Sequence, residues 1–200
     1  MSDLQFDAAE SSLMFNSDVF LLKRRLNGKI YILFEHIKTR LKDTEEHKQF
    51  SFPENTDITT GKISRGENYQ SCPWVMLDFP RLFTKTEIFA FRTLFWYGHY
   101  FTGSLLCSGE VAKEKIQKLI LNRQLMLHKG IFFCLHSDAW LHDIDSMAYK
   151  RIEEVTDAEM EKHVSETGYF KISSKFISQL PDEIIQKTEN MYILFLKAVS

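Results

Sequence analysis

The sequence predicts an α+β fold, a single domain in which a mainly antiparallel sheet packs against helices. Three observations carry this. The spacing of apolar residues changes along the chain from a helical period of 3.6 to a strand period of 2 and back. Strand-like segments come in runs rather than alternating strictly with helices, which argues against a parallel βαβ sheet. No repeat, linker or low-complexity stretch divides the 200 residues, a length typical of one domain.

Residues 1–16 precede the first periodic element and are expected to form a flexible or loosely packed segment of the single domain 1–200. Ser17 is a candidate N-cap with Asp18 in the first turn. Val19, Leu22, Leu26, Ile30, Leu33, Ile37 and Leu41 then recur at spacings of three and four, one apolar stripe of a helix near 17–44. Asn27-Gly28 interrupts it with a strong hairpin signal, but the stripe stays in phase across the pair and neither half alternates cleanly. The polar run Lys42–Lys48 is expected to solvate the helix end, and Ser51–Glu67 reads as loop with a short edge strand at Lys62–Ser64.

Trp74–Phe79, set between Pro73 and Pro80, reads as one strand. The aromatic block beyond Thr86 reads as two antiparallel strands, about 88–97 and 100–107. Period two places Phe89, Phe91, Phe95 and Tyr97 on one face and Ile88, Ala90, Leu94 and Trp96 on the other. A helix follows near 110–127, with His128-Lys129-Gly130 as its cationic, glycine-terminated end. Ile131–Leu135 and Ala139–Leu141 complete a sheet built from residues about 62–107 and 131–141. Asp157–Ser165 reads as a helix capped by Thr156, Tyr169–Ile177 as a strand, and 182–199 as a helix led by Pro181.

Composition excludes more than it selects. Lys plus Arg is 25 against 27 for Asp plus Glu, with no basic stripe, so nucleic acid is not an expected partner. Three dispersed cysteines, Cys72, Cys107 and Cys134, form no CxxC and no disulfide framework, which favours reduced thiols and a cytoplasmic location. The first residues lack the basic and apolar regions of a signal peptide. Ile88–Cys107 is long enough to span a bilayer, but it is aromatic and hydroxyl-rich, contains Arg92 and lacks basic flanks, so no membrane partner is expected. Aromatic residues make up 14 % of the chain, which implies a thick aromatic core or an aromatic contact surface.

Motifs for phosphate loops, dinucleotide binding, zinc proteases, hydrolase elbows and calcium loops are absent. The densest polar cluster runs from His128 to Asp145. On one continuous strand Cys134, His136 and Asp138 would share a face, and with His142 they would offer thiolate, imidazole and carboxylate ligands to a divalent transition metal such as zinc. The competing reading makes Cys134 a small core residue and Ser137-Asp138 a turn. Arg92, inside apolar sequence, requires an anion. It is either the base of an anion pocket with His99 near the rim, or half of an internal ion pair with Asp78 or Glu87. Tyr69 and Trp74 flank a polar loop and are candidate ligand contacts.

Residues 64–109 carry Gly66-Glu67-Asn68-Tyr69-Gln70, Pro73-Trp74, Leu77-Asp78, Pro80-Arg81 and the block Phe89-Ala90-Phe91-Arg92-Thr93 followed by Phe95-Trp96-Tyr97-Gly98. This wording resembles uncharacterised bacterial proteins with no known function. The resemblance implies no activity, cofactor or site.

The expectation is therefore a non-enzymatic soluble binding or assembly protein that uses an aromatic surface drawn from Tyr69, Trp74, Trp96, Tyr97, Tyr100 and Trp140. It would hold no cofactor and meet a protein partner or a second copy of itself. The alternative is a metal-assisted hydrolase built on Cys134, His136, Asp138 and His142. The ligand-binding candidates are Arg92, His99, Tyr69 and Trp74.

Overall fold

The aromatic block folds as two antiparallel strands, and the rest of the chain is arranged around them. The computed structural model describes residues 4–200. In chain order, α1 (Ala8–Met14), α2 (Ser17–Asp43) and α3 (Glu45–Gln49) lead into β1 (Lys62–Tyr69), β2 (Cys72–Phe83), β3 (Ile88–Trp96) and β4 (Phe101–Ser108). Then come α4 (Glu110–Leu121), β5 (Phe132–Cys134), β6 (Tyr149–Arg151), α5 (Asp157–Thr167), β7 (Tyr169–Phe176) and α6 (Pro181–Ala198). The strands form one seven-stranded sheet in the order β1-β2-β3-β4-β7-β5-β6, antiparallel at every pairing. The fold is α+β, as the change of period predicts.

Period two gives this sheet two different faces. Val75, Leu77 and Phe79 of β2, Phe89 and Phe91 of β3, Leu105 of β4 and Ile172 of β7 turn toward the helices. There they join Phe34, Ile37 and Leu41 of α2 and Tyr192 and Phe195 of α6 in one buried cluster. Burying each such side chain contributes roughly 1.5–3 kcal/mol, and this cluster is the main source of stability. Asn27-Gly28 does not break α2. The Asn27 side chain is buried and accepts a hydrogen bond from the Tyr97 hydroxyl at 2.7 Å, so a tertiary partner offsets a weak local propensity.

Glycine is required at one junction. Gly109, between β4 and α4, has φ of +71°, and a Cβ there would lie 2.2 Å from the Thr86 carbonyl oxygen. Thr156 and Glu159 form a capping box at the start of α5, and Gly168 ends it in the left-handed conformation.

Several elements differ from their sequence-predicted form. The predicted helix 110–127 stops at Leu121, and Arg123–Met126 continue as a 3₁₀ turn that buries Met126. β1 runs on through the predicted polar loop to Tyr69, because an edge strand tolerates polar residues on its solvent side. Gln70 and Ser71, both at positive φ, make the two-residue turn into β2. Ala139–Leu141 is not a strand, since the chain leaves the sheet after Cys134. Of the segment expected to be loosely packed, residues 1–3 lie outside the described residues, and 8–14 form α1, capped by Asp7 and Glu10 with every side chain unburied.

Candidate functional site: a cationic aromatic groove under a strap

The face of the sheet turned away from the helices is crossed by residues 135–148, an irregular strap joining β5 to β6. Backbone lifted out of a ladder still needs hydrogen-bond partners, and here side chains of the sheet supply them. The Tyr69 hydroxyl accepts from the N–H groups of His142 and Asp143 at 2.7 and 3.2 Å. The Tyr100 hydroxyl accepts from the Ile144 N–H at 2.9 Å and donates to Asp143. Tyr149 donates to the Leu141 carbonyl at 2.7 Å, and Tyr169 donates to that of His136. Lys171, 1 % exposed, donates to the carbonyls of Ala139, at 2.7 Å, and Leu141.

Burial sets the acid–base character of these anchors. It pushes the Tyr69, Tyr100, Tyr149 and Tyr169 hydroxyls up, so all four stay protonated at neutral pH. It pushes the Lys171 ammonium down, to about 8, with the neighbouring Arg92 charge acting in the same direction. Lys171 forms no ion pair among the described residues. Its charge rests on the two carbonyls and on the Tyr149 ring, 5.6 Å away.

Between the strap and the edge strand β1 lies an open groove of about 440 Å³. Its floor is Met76, Asp78 and Arg92, its aromatic walls are Trp74, Phe83 and Trp140, and Lys62, Ser64, Arg81 and His142 complete it. Arg81 and Phe83 face this groove because a bulge shifts the β2–β3 register between Asp78 and Arg81. Without that shift, Leu82 would face the groove instead of the core.

Arg92 is held on three sides. Its Nε and Nη2 donate to Asp78 Oδ1 and Oδ2 at 2.7 and 3.0 Å, and its Nη1 lies 3.3 Å from His142 Nε2. A guanidinium only donates, so His142 Nε2 is the acceptor and the ring is neutral. This agrees with a His142 pKa held well below the usual imidazole range by burial, with Lys171 and Arg92 acting the same way. The Trp140 ring lies 5.1 Å from the Arg92 guanidinium carbon and stacks on Phe83 at 6.3 Å. Lys62 and Arg81 have no carboxylate partner among the described residues. A second depression of about 420 Å³, between α2 and α6, has no such walls, and its Arg40 is paired with Glu189 at 2.8 Å.

Of the sequence-predicted ligand contacts, Arg92 and Trp74 line the groove. Tyr69 stands behind it as a strap anchor, and His99 stacks on Trp96 in the β3–β4 turn, outside it. Of the aromatics expected at the surface, Trp96 and Tyr100 are buried and Trp140 is exposed. The sequence-predicted metal ligands are not brought together. β5 ends at Cys134, which is buried beside Tyr169, 3.8 Å from its hydroxyl. His136 Nδ1 instead accepts the Asp138 N–H, both residues are exposed, and His142 faces Arg92. Among the described residues no group of three His, Cys, Asp or Glu is placed to hold a metal ion. The expectation that Cys134, His136 and Asp138 share a face is thus corrected, since it required a strand through residue 138. Arg81, like Arg92, stands out in the sequence as an arginine interrupting an apolar stretch, whereas Lys62, Phe83 and the role of Lys171 carry no such signal.

Among the described residues no helix is long and apolar enough to cross a membrane. The chain matches no protein-family model, no curated protein and no solved structure.

Proposed function

We infer that the protein is a non-enzymatic binding protein whose groove takes a flat anion, an aromatic ring system bearing a carboxylate or phosphate. The observation that carries this reading is the placement of two unpaired cations, Lys62 and Arg81, beside the aromatic faces of Trp74, Phe83 and Trp140 in one groove. The rings supply stacking area at low entropic cost, and the cations orient the charged end. Binding is favoured over acid–base catalysis because Asp78 and His142 are both engaged by Arg92.

Titration of the intrinsic tryptophan fluorescence tests this with naphthoate, naphthyl phosphate and neutral naphthol. The two anions are expected to quench and to bind at least tenfold more tightly than naphthol, with the preference lost in Lys62→Ala/Arg81→Ala. Equal binding of all three, or none, would sink the proposal.

A further inference from the structure

The apolar stripe of α2 is only half covered. Ile30, Leu33, Ile37 and Leu41 are buried against the sheet, while Val19 and Leu22, in the same phase, are 44 % and 55 % exposed. At 1.5 Å per residue, the exposed turns from Ser17 to Leu22 extend roughly 9 Å before Lys23 reaches Glu67 of the edge strand. Over Val19, Phe20, Leu21 and Leu22 the helix is apolar on all sides, because successive residues step by about 100° around it. A helix that is apolar all round is ordinarily a buried one. Leu13, Met14 and Phe15, at the joint with α1, add to the same surface, and Phe15 is 87 % exposed.

Charge along this arm is divided. Asp7, Glu10 and Asp18 precede the apolar turn, and Lys23, Arg24, Arg25 and Lys29 follow it, with no acid after residue 18 and no base before residue 23 in the stretch 4–29. Arg24 and Arg25 are exposed and make no ion pair among the described residues, whereas Lys23 reaches Glu67.

We propose that this arm closes on the same arm of a second copy in an antiparallel, two-fold pairing centred between Leu21 and Leu22. A two-fold interface sets the acidic half of each arm against the basic half of the other, and this centre places Asp18 opposite Arg25. Leu21 and Leu22, 60 % and 55 % exposed, flank that charge pair on the same side of the helix and are the apolar residues the contact buries. This surface is separate from the groove, and either reading stands without the other.

Sedimentation of the full chain over a concentration series tests the pairing. The expected result is a reversible dimer, made monomeric by Leu21→Asp/Leu22→Asp with cooperative unfolding of the body retained. Arg25→Glu should weaken dimerisation about tenfold, and adding Asp18→Arg to the same chain should restore it, since every chain supplies both partners. A monomer at all concentrations would overturn the proposal, as would a dimer indifferent to Leu21→Asp/Leu22→Asp or a charge reversal that Asp18→Arg does not rescue. So would an arm that stays monomeric and instead binds vesicles of phosphatidylcholine and phosphatidylserine.

Discussion

Asp78 and Arg92 stand directly opposite one another on β2 and β3, and the carboxylate accepts from both Nε and Nη2 of the guanidinium at 2.7 and 3.0 Å. Both side chains are about nine-tenths buried. The pair is therefore internal, and Arg92 orders the floor of the groove while Lys62 and Arg81 remain open to a ligand.

Arg92→Met strands the Asp78 carboxylate and is expected to cost about 3–5 kcal/mol, the usual penalty for removing one partner of a buried pair. Asp78→Leu added to it should recover most of that loss, because an apolar replacement leaves no charge unpaired. Urea unfolding of the three proteins checks this, and an unchanged midpoint in Arg92→Met would contradict an internal pair.

Lys171 makes stability depend on pH in an alkaline window. The unfolded chain holds this proton to a pH of about 10, whereas the folded chain releases it at about 8. Between these values the unfolded state binds more protons, so unfolding free energy rises with pH there. The difference in stability between wild type and Lys171→Met should accordingly grow in favour of wild type by about 2–3 kcal/mol from pH 8 to 10. A constant difference in urea titrations across that range would show that Lys171 does not titrate there.

Tyr69→Phe removes the shared acceptor of the His142 and Asp143 N–H groups. Leaving buried donors unsatisfied costs about 1–3 kcal/mol, and the loss should be local to the strap. Amide exchange at His142 and Asp143 is expected to accelerate while the amides of β3 and β4 keep their protection. Uniform acceleration would mean that Tyr69 supports the whole fold instead.

The sequence exposed what repeats and concealed what does not. Phe89, Phe91 and Ala90 alternate cleanly, so β3 and its faces could be read directly, and so could the stripe that α2 buries from Ile30 to Leu41. Asp78 was legible as one of two carboxylates able to meet Arg92. The strap was not, because only Tyr169 and Lys171 share a strand's period, and its other anchors, at 69, 100 and 149, come from separate segments of the chain. His136, Asp138 and His142 consequently read as a ligand cluster when they are turn and groove residues. Gln70-Ser71 lacks the Asn-Gly signature of a tight hairpin, and the bulge before Arg81 reverses the alternation that would assign Arg81 and Phe83 to a face.

The tyrosines and Lys171 grip the strap by its peptide groups, and peptide groups are the same whatever side chains they carry. Residues such as His136, Ser137 and Met147 are exposed to solvent. The strap thus behaves as a cassette whose exposed side chains can be rewritten, while Ile144, buried in the core, and His142, against Arg92, keep it seated. Trp140 and His142, one wall of the groove, ride on this cassette. Lys62, Arg81 and Trp74 belong to the sheet. On the proposed reading, a change at Trp140 alters the ring contact while Lys62 and Arg81 still meet the charge.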